Sequence, residues 1–459
     1  MKISGILKFT AIAVSAAIFF IACEKDSFVD DDSYAIVSLS AAGVPTEKLI
    51  FTVNDNNLVL TAEDIKINAK NFSVIKGTLT KKGTSYELII TPGGTDKIRI
   101  GLDPYRGFTG WNAKTVNVNA DWYFTGTEEL TLTGYNQSII DPSKTPIPAE
   151  RAKKPVTAIG YRAFYNIGLT SVSFSGDIKL KEIGASAFAS NQLAEIIIPD
   201  SVEIIGNTSF AYNQLSKVDI PNKITDIGYG VFAYNQLTEI TIPDSVISIG
   251  NFAFGYNDLK GKIEIPKYVE ILSGFNDNKL TAVNFKSPDT VTYIGDKAFY
   301  NNKLTAIEIP NNVTYIGNNA FSYNELGAVK IPNTDITIES YAFSHNKLKN
   351  VTLPQYITEI NSHAFSYNEL EAITIPNDVK VIWNNAFENN KLKTITIRDK
   401  ITYIGTCAFK DNLLTEIIIG KNVTLDSSAF GNGFEAAYYK NGRQEGTYTL
   451  AGGKWNYAP

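Results

Sequence analysis

Beyond an N-terminal leader, His345, His363 and Cys407 are the only imidazoles and the only thiol in the chain apart from Cys23. These groups titrate or attack near neutral pH, so metal, acid–base or nucleophilic chemistry would have to recruit them. Two histidines brought together could share a metal ion or a proton, and a cysteine beside one could become a thiolate. Their spacing argues otherwise. The chain repeats about every 22 residues, and the histidines stand 18 apart, which is not a multiple of that period. His345 precedes Asn346 in a slot that other repeats fill with Tyr, and His363 holds a variable polar slot before Ala364. Both read as surface substitutions within a repeat. Cys407, in IGTCAFKDN, holds the slot before Ala408 and reads as a small apolar side chain.

The other motifs thin out in the same way. Gly93-Gly94-Thr95 lacks the upstream glycine and the following Lys-Ser/Thr of a phosphate loop, so it reads as a hairpin turn. No Gly-x-Ser-x-Gly elbow and no paired metal-ligand motif occurs. Carboxylates such as Glu239 and Asp244 are scattered over exposed slots. Two facing each other across repeats could act as a glycosidase pair, but a solvated face is the simpler reading. The expectation is a non-enzyme with no catalytic residue, no metal and no cofactor. With 42 basic against 47 acidic residues, the chain lacks the basic excess of a nucleic-acid footprint, so nucleic acid is not an expected partner.

What must position any functional side chain is the repeat. Phe recurs at 164, 188, 210, 232, 254, 275, 299, 321, 343, 365, 387, 409 and 430, mostly after Ala and before an Asn three residues on. One unit, IPDSVISIGNFAFGYNDL, runs from Ile242 to Leu259. Ile240 and Ile242 alternate with Thr241, the mark of a strand with one buried face, and Pro243 ends it. A second short strand is expected over Val246 to Ile249. Ala253 lets neighbouring coils approach, Phe254 fills the core, and Asn257 and its equivalents form a ladder to backbone groups of their own and adjacent coils. No coil can bury its apolar face alone, so the array folds as a stack.

This unit resembles the BspA-type leucine-rich repeats of bacterial surface proteins, over about residues 150–433. IPAERAKKPVTAIGYRAF resembles the opening coil of such arrays, and FEAAYYKNGRQEGTYTLAGGKWNYAP their closing cap. The chain departs from the pattern in using Asn-x-Leu where many members carry a Cys-containing, longer segment. It departs again at residues 258–280, DLKGKIEIPKYVEILSGFNDNKL, where Gly261 is inserted and the Ile-Gly-x-x-Ala-Phe block is lost; a local bend or loosening is expected there. The resemblance implies a mainly β fold, a leucine-rich-repeat solenoid of about 13 coils of 22 residues. It also implies adhesion, with host matrix or cell-surface proteins as partners.

The N-terminus reads as a targeting segment. Lys2 and Lys8 precede an apolar stretch from Phe9 to Ala22, too short for a comfortable membrane span. Phe20-Ile21-Ala22-Cys23 resembles a relaxed lipobox, which would place a lipid anchor on Cys23 and tie the chain to a membrane. Residues 1–22 are then a lipoprotein signal peptide and 23–33 a disordered tether. Short alternating runs with turn signals over 34–122 suggest an immunoglobulin-like β-sandwich. Residues 123–433 form the solenoid with its N-terminal cap, and 434–459 its C-terminal cap. The expected location is the cell envelope, on the outer-membrane surface.

Two exposed rows are candidate binding surfaces. Tyr212, Tyr234, Tyr256, Tyr323 and Tyr367 recur one residue before the ladder Asn; they either present contact area to a partner or stack as a structural rib. Thr352, Thr374 and Thr396 form a flat β-branched strip between strand isoleucines, fit for protein contact or placed there by strand propensity. The expected function is lipid-anchored, non-catalytic protein–protein or cell adhesion at the surface. The alternative is glycan or nutrient capture for a neighbouring uptake system.

Overall fold

Period-2 runs and recurring turns dictate β structure, and a computed structural model shows how they assemble. It describes residues 128–135, 141–151 and 153–459, and eight strands before them. The leader 1–22, Cys23, the tether 23–33 and the turn at Gly93-Gly94-Thr95 lie outside the described residues. The chain divides into two compact units, one ending at Phe188 and one running from Ala189 to Pro459.

The first unit opens with seven strands: β1 (Ile36–Ala42), β2 (Lys48–Val53), β3 (Ile65–Ala69), β4 (Val74–Lys82), β5 (Ser85–Pro92), β6 (Asp96–Leu102) and β7 (Ala113–Val118). They pair into two sheets, ordered β1-β2-β5-β4 and β3-β6-β7. All of these pairings are antiparallel: Leu49 lies opposite Leu88, and Ile98 opposite Val116. A hairpin of β8 (Trp122–Thr125) and β9 (Leu130–Tyr135) follows. After a small β10 (Glu150–Arg151), β11 (Lys154–Ile159) runs parallel to β9 on one side and to β12 (Glu182–Ile183) on the other. The hairpin therefore covers the open edge of the first coil, and the buried Phe164 ring stacks between Tyr135 at 5.9 Å and Phe188 at 5.1 Å.

In the second unit each coil contributes one Phe to a continuous core column. From Phe210 to Phe430, successive rings lie 5.1–5.8 Å apart. Every one of these rings is buried, each contributing about 1.5–3 kcal/mol by leaving water. Ala253, Ala298, Ala320 and Ala342 beside them are fully buried too, since a larger side chain would push neighbouring coils apart.

The steady ladder is the second strand of each coil, reduced to two residues rather than the longer strand expected. Asp226–Ile227, Ser248–Ile249, Ile271–Leu272, Tyr293–Ile294, Tyr315–Ile316 and Thr337–Ile338 pair parallel and in register. The first strand keeps its alternating burial, with Ile196 and Ile198 buried around an 83% exposed Ile197. Among the described residues of this unit its ladder pairing runs over Lys260–Ile265 with Lys279–Phe285, Ala306–Glu308 with Ala328–Lys330, and Thr394–Ile397 with Glu416–Ile419, with an isolated bridge between Ile197 and Asp219. Side-chain packing, not an unbroken ladder, holds that face.

Across the irregular stretch 258–280 the short-strand ladder keeps its register. Gly261, at φ +71°, absorbs its insertion as a bulge, and Leu272 stays in register with Ile249 and Ile294. The C-terminal cap contains the only α-helix among the described residues, α1 (Phe434–Lys440). Phe434 packs edge-on against Phe430 at 4.8 Å. The hairpin Gly446–Ala451 and Lys454–Ala458 then pairs antiparallel onto Glu416–Ile419, ending the parallel array.

Candidate binding surface

The turn around most core Phe residues places two side chains outward, both on left-handed backbone. The residue two before the Phe forms a leading rib: Thr208 (φ 56°), Phe252 (60°), Lys297 (55°), Tyr341 (61°), His363 (58°) and Cys407 (57°) are examples. The residue two after it forms a trailing rib: Tyr212 (57°), Tyr234 (56°), Tyr256 (56°), Asp277 (53°), Tyr323 (56°), His345 (53°) and Tyr367 (53°). Left-handed backbone costs a side-chain-bearing residue about 1–2 kcal/mol, less for Asn or Asp. Tyr at these slots is therefore held by what its ring touches.

It touches its neighbours. Tyr212, Tyr234 and Tyr256 stack at 4.3 and 4.2 Å, with planes within 9°. Tyr323, His345 and Tyr367 form a second stack at 4.2 and 4.4 Å. The candidate tyrosines are thus brought together as a structural rib in two pieces, separated by Asp277 and Asn301. Their outer edges remain exposed, 53% for Tyr212 and 46% for Tyr323. Burial raises the Tyr234 phenol above its usual value, and a hydrogen bond with Tyr256 adds to it.

The histidines are closer than their sequence spacing implied. His363 stacks on Tyr341 at 4.2 Å in the leading rib, while His345 sits in the trailing rib of the preceding coil. Eighteen residues is one period less the four that separate the ribs, an arithmetic the sequence contained. Burial lowers the affinity of both imidazoles for protons; the Glu388 carboxylate partly offsets this at His363, while His345 adds to it. The buried Ser366 hydroxyl lies 3.5 Å from His363 Nδ1 but donates to the His363 carbonyl at 3.1 Å, so its proton is already engaged. Burial pushes the Cys407 thiol up, away from thiolate. No cluster of three or more His, Cys, Asp or Glu among the described residues is placed to hold a metal.

Beneath the trailing rib runs the asparagine ladder. Asn235 Nδ2 donates to the Phe210 carbonyl of the coil before at 3.0 Å and to its own Phe232 carbonyl at 3.1 Å, and Oδ1 accepts the Leu215 N–H at 3.0 Å. Asn257, Asn278, Asn302, Asn324, Asn346, Asn368, Asn390 and Asn412 reach back to the preceding coil in the same way.

A row missed in the sequence follows each ladder Asn. Lys279 meets Asp258 at 2.5 Å, Lys347 meets Glu325 at 2.8 Å, and Lys391 meets Glu369 at 2.7 Å, each across one coil. Glu325 also faces Lys303 at 3.7 Å, and the hydrogen bond from Lys347 holds its carboxyl below the usual range. Reading the residue after each Asn down the period would have found it. Carboxylates in this row face lysines rather than each other. In the strand row, Thr352, Thr374 and Thr396 stand exposed, one per coil, with Glu308 and Lys330 paired beside them.

Comparison with curated proteins returns no match. Among solved structures, the chain is similar to a leucine-rich cell surface protein from Faecalibacterium prausnitzii A2-165, at 21% identity and TM-score 0.41, covering 70% of this chain and 96% of that one. It is also similar to a leucine-rich repeat protein from Bacteroides ovatus (19% identity, TM-score 0.38, covering 68% and 88%). A third is the pneumococcal vaccine antigen PcpA (18% identity, TM-score 0.40, covering 67% and 87%). The family model of the BspA type leucine rich repeat region matches residues 147–260, 256–368 and 316–435, more than half of the sequence. The stacked coils, the asparagine ladder and this match together place the chain in the BspA-type leucine-rich-repeat family.

Proposed function

We propose that the chain is a non-catalytic adhesion protein, held at the bacterial surface by a lipid on Cys23 and contacting host matrix or cell-surface proteins through its solenoid. The observation that carries this reading is the pair of exposed rows repeated on a rigid stack, the Tyr-rich trailing rib and the strand strip with Thr352, Thr374 and Thr396. Such rows offer a partner many similar contacts at once without the cost of ordering a loop. Family membership agrees, and the F. prausnitzii relative is described as a cell surface protein. The N-terminal sheets serve as a spacer in this reading. Their orders, β1-β2-β5-β4 and β3-β6-β7, are those of a seven-stranded immunoglobulin-like sandwich.

Protease shaving and antibody staining of intact and permeabilised cells test the display. Adhesion of wild-type and deletion strains to immobilised host matrix proteins tests the contact. Staining and shaving of intact cells, with adhesion lost on deletion, is the expected result. Signal only after permeabilisation would overturn the reading and leave a periplasmic scaffold.

A further inference from the structure

The leading rib carries a hydrogen-bond chain of its own. The N–H of Thr208, Gly230, Lys297, Asn319, Tyr341, His363 and Asn385 each donates along the stack to the carbonyl just before the next coil's leading residue, at 2.8–3.0 Å. The coil of Phe275 interrupts this chain. Leu272 and Ile249 are paired in register, yet Phe275 follows Leu272 by three residues where Phe254 follows Ile249 by five. The two missing residues are the leading-rib residue and its predecessor. Accordingly, no acceptor for the Phe252 N–H and no donor to the Asp296 carbonyl occurs among the described residues.

The floor of this break is intact. Phe254 N–H donates to the Gly274 carbonyl at 2.8 Å, and Phe275 N–H to the Ala298 carbonyl at 2.9 Å. The leading residues Phe252 and Lys297 therefore stand two coil spacings apart, roughly 9–10 Å, and the flexible Lys297 side chain reaches across that gap toward the Phe252 ring. One wall presents a backbone donor and the Phe252 ring, which lies parallel to Tyr256 within 2° at 6.3 Å. The other presents a backbone acceptor. Lys297 Nζ hangs 6.0 Å from the Phe252 ring and 5.5 Å from the Tyr300 ring, with no carboxylate within 4 Å among the described residues. Asp277, on the trailing side, is engaged by Asn276 at 2.9 Å and Asn301 at 2.8 Å.

We propose that this notch binds the acetamido group of an N-acetylated sugar, its carbonyl accepting from the Phe252 N–H, its N–H donating to the Asp296 carbonyl, and its sugar face lying on Phe252. A secondary amide is the small group that supplies both an acceptor and a donor on opposite sides. A peptide strand fits less well, because the break is one amide long and is flanked by left-handed turns, not by an extended edge. Where the leading rib stacks, as Tyr341 does on His363, a ring face is covered by the next ring; Phe252, with Gly230 in the slot before it and no leading residue in the coil after it, is faced only by the mobile end of Lys297. The Lys297 ammonium then meets hydroxyls or, on a sialic acid, the carboxylate. N-acetylglucosamine of cell-wall-type chains and N-acetylneuraminic acid of glycoproteins share this chemistry. The inference deepens the surface-binding reading but does not depend on adhesion to proteins.

The test is ligand-observed saturation-transfer NMR and calorimetry on the full chain. The probes are chitotriose and 3′-sialyllactose, with cellotriose and lactose as non-acetylated counterparts. Binding of either acetylated probe, with strongest saturation on the acetyl methyl, is expected, and the better probe identifies the source. Phe252→Asn should weaken it about tenfold or more; Asn already occupies this slot at Asn319 and Asn385, so the coil folds. Inserting Asn-Asn between Ser273 and Gly274, which rebuilds the complete turn, should abolish it, and Lys400→Gln, at a surface ion pair with Asp378 several coils away, should leave it unchanged. Binding of neither acetylated probe, equal binding of the non-acetylated ones, or full affinity in Phe252→Asn would overturn the proposal. Adhesion to matrix proteins persisting in Phe252→Asn cells separates this site from the protein-binding rows.

Discussion

The Asn257 side-chain amide donates to the Phe232 carbonyl, one coil earlier, at 3.0 Å, while its Oδ1 accepts the Leu237 N–H at 2.9 Å. A single side chain thus closes backbone groups that stacking alone would leave buried and unpaired. Asn257→Ala exposes that debt and should cost about 3 kcal/mol. Asn257→Asp should cost more near neutral pH, since it sets a carboxylate against the Phe232 and Phe254 carbonyls. Urea unfolding of both variants gives the answer; an Asp variant milder than Ala would contradict the donor role.

Tyr234 sets stacking against backbone preference. Replacing it with Asn removes two ring contacts worth about 0.5–1.5 kcal/mol each, but relieves left-handed strain of about 1 kcal/mol. Tyr234→Asn should therefore destabilise by no more than about 2 kcal/mol. Tyr234→Val loses the same rings and suits left-handed backbone less well, so its melting temperature should fall further. Equal melting of the two variants would show that the backbone conformation does not matter there.

The half-buried histidines predict a pH dependence. Burial lowers the folded-state pKa of both His345 and His363, so in that window the unfolded chain binds protons the folded chain refuses. Their contribution is fully present above the ordinary imidazole value of about 6.5 and is lost as pH falls through it towards the depressed folded value. Melting temperature should fall from pH 7.5 to 5, and the slope should flatten in His345→Tyr/His363→Asn. Both replacements occur at equivalent slots, at Tyr367 and Asn385. An unchanged slope would remove the histidines from the account.

Gly274 lies at φ +89°, and a Cβ there would be driven into the Gly250 carbonyl oxygen and Ala253. Gly274→Ala should cost about 3 kcal/mol or more, combining backbone strain with a clash that no rotamer relieves. Circular dichroism melting measures it. Gly261→Ala serves as the contrast: its φ of +71° is strained too, but no atom lies within 4 Å of an added Cβ, so its loss should be smaller.

The stack itself was legible in the residues, because a core Phe with Ala before it and Asn after it admits few other packings. The reach of each Asn to the preceding coil was equally readable, since a buried amide needs partners on both its atoms. What escaped was anything set by offsets smaller than the period. His345 and His363 seemed unrelated because 18 is not 22, yet two ribs four residues apart make them neighbours. The Lys279–Asp258 and Lys391–Glu369 row was hidden differently, one period apart in slots that looked merely polar. Strand lengths were overestimated, since alternation at Ile240 and Ile242 reports burial and not hydrogen-bonded pairing. The two-residue loss before Phe275 was visible as an irregularity, but the sequence could not show that Leu272 keeps its register and leaves the Phe252 N–H facing a break.

The asparagine ladder also decides how the array yields to a pull. Each Asn fastens its coil to the one before it, so tension applied at the C-terminal end meets one set of fastenings at a time. Freeing a coil such as that of Asn390, linked to Phe365 at 3.0 Å, would pay out a whole period of chain, roughly 70 Å once extended. A protein tethered at one end and gripped at the other would lengthen in such steps, absorbing a sudden jerk coil by coil and leaving the remaining stack folded.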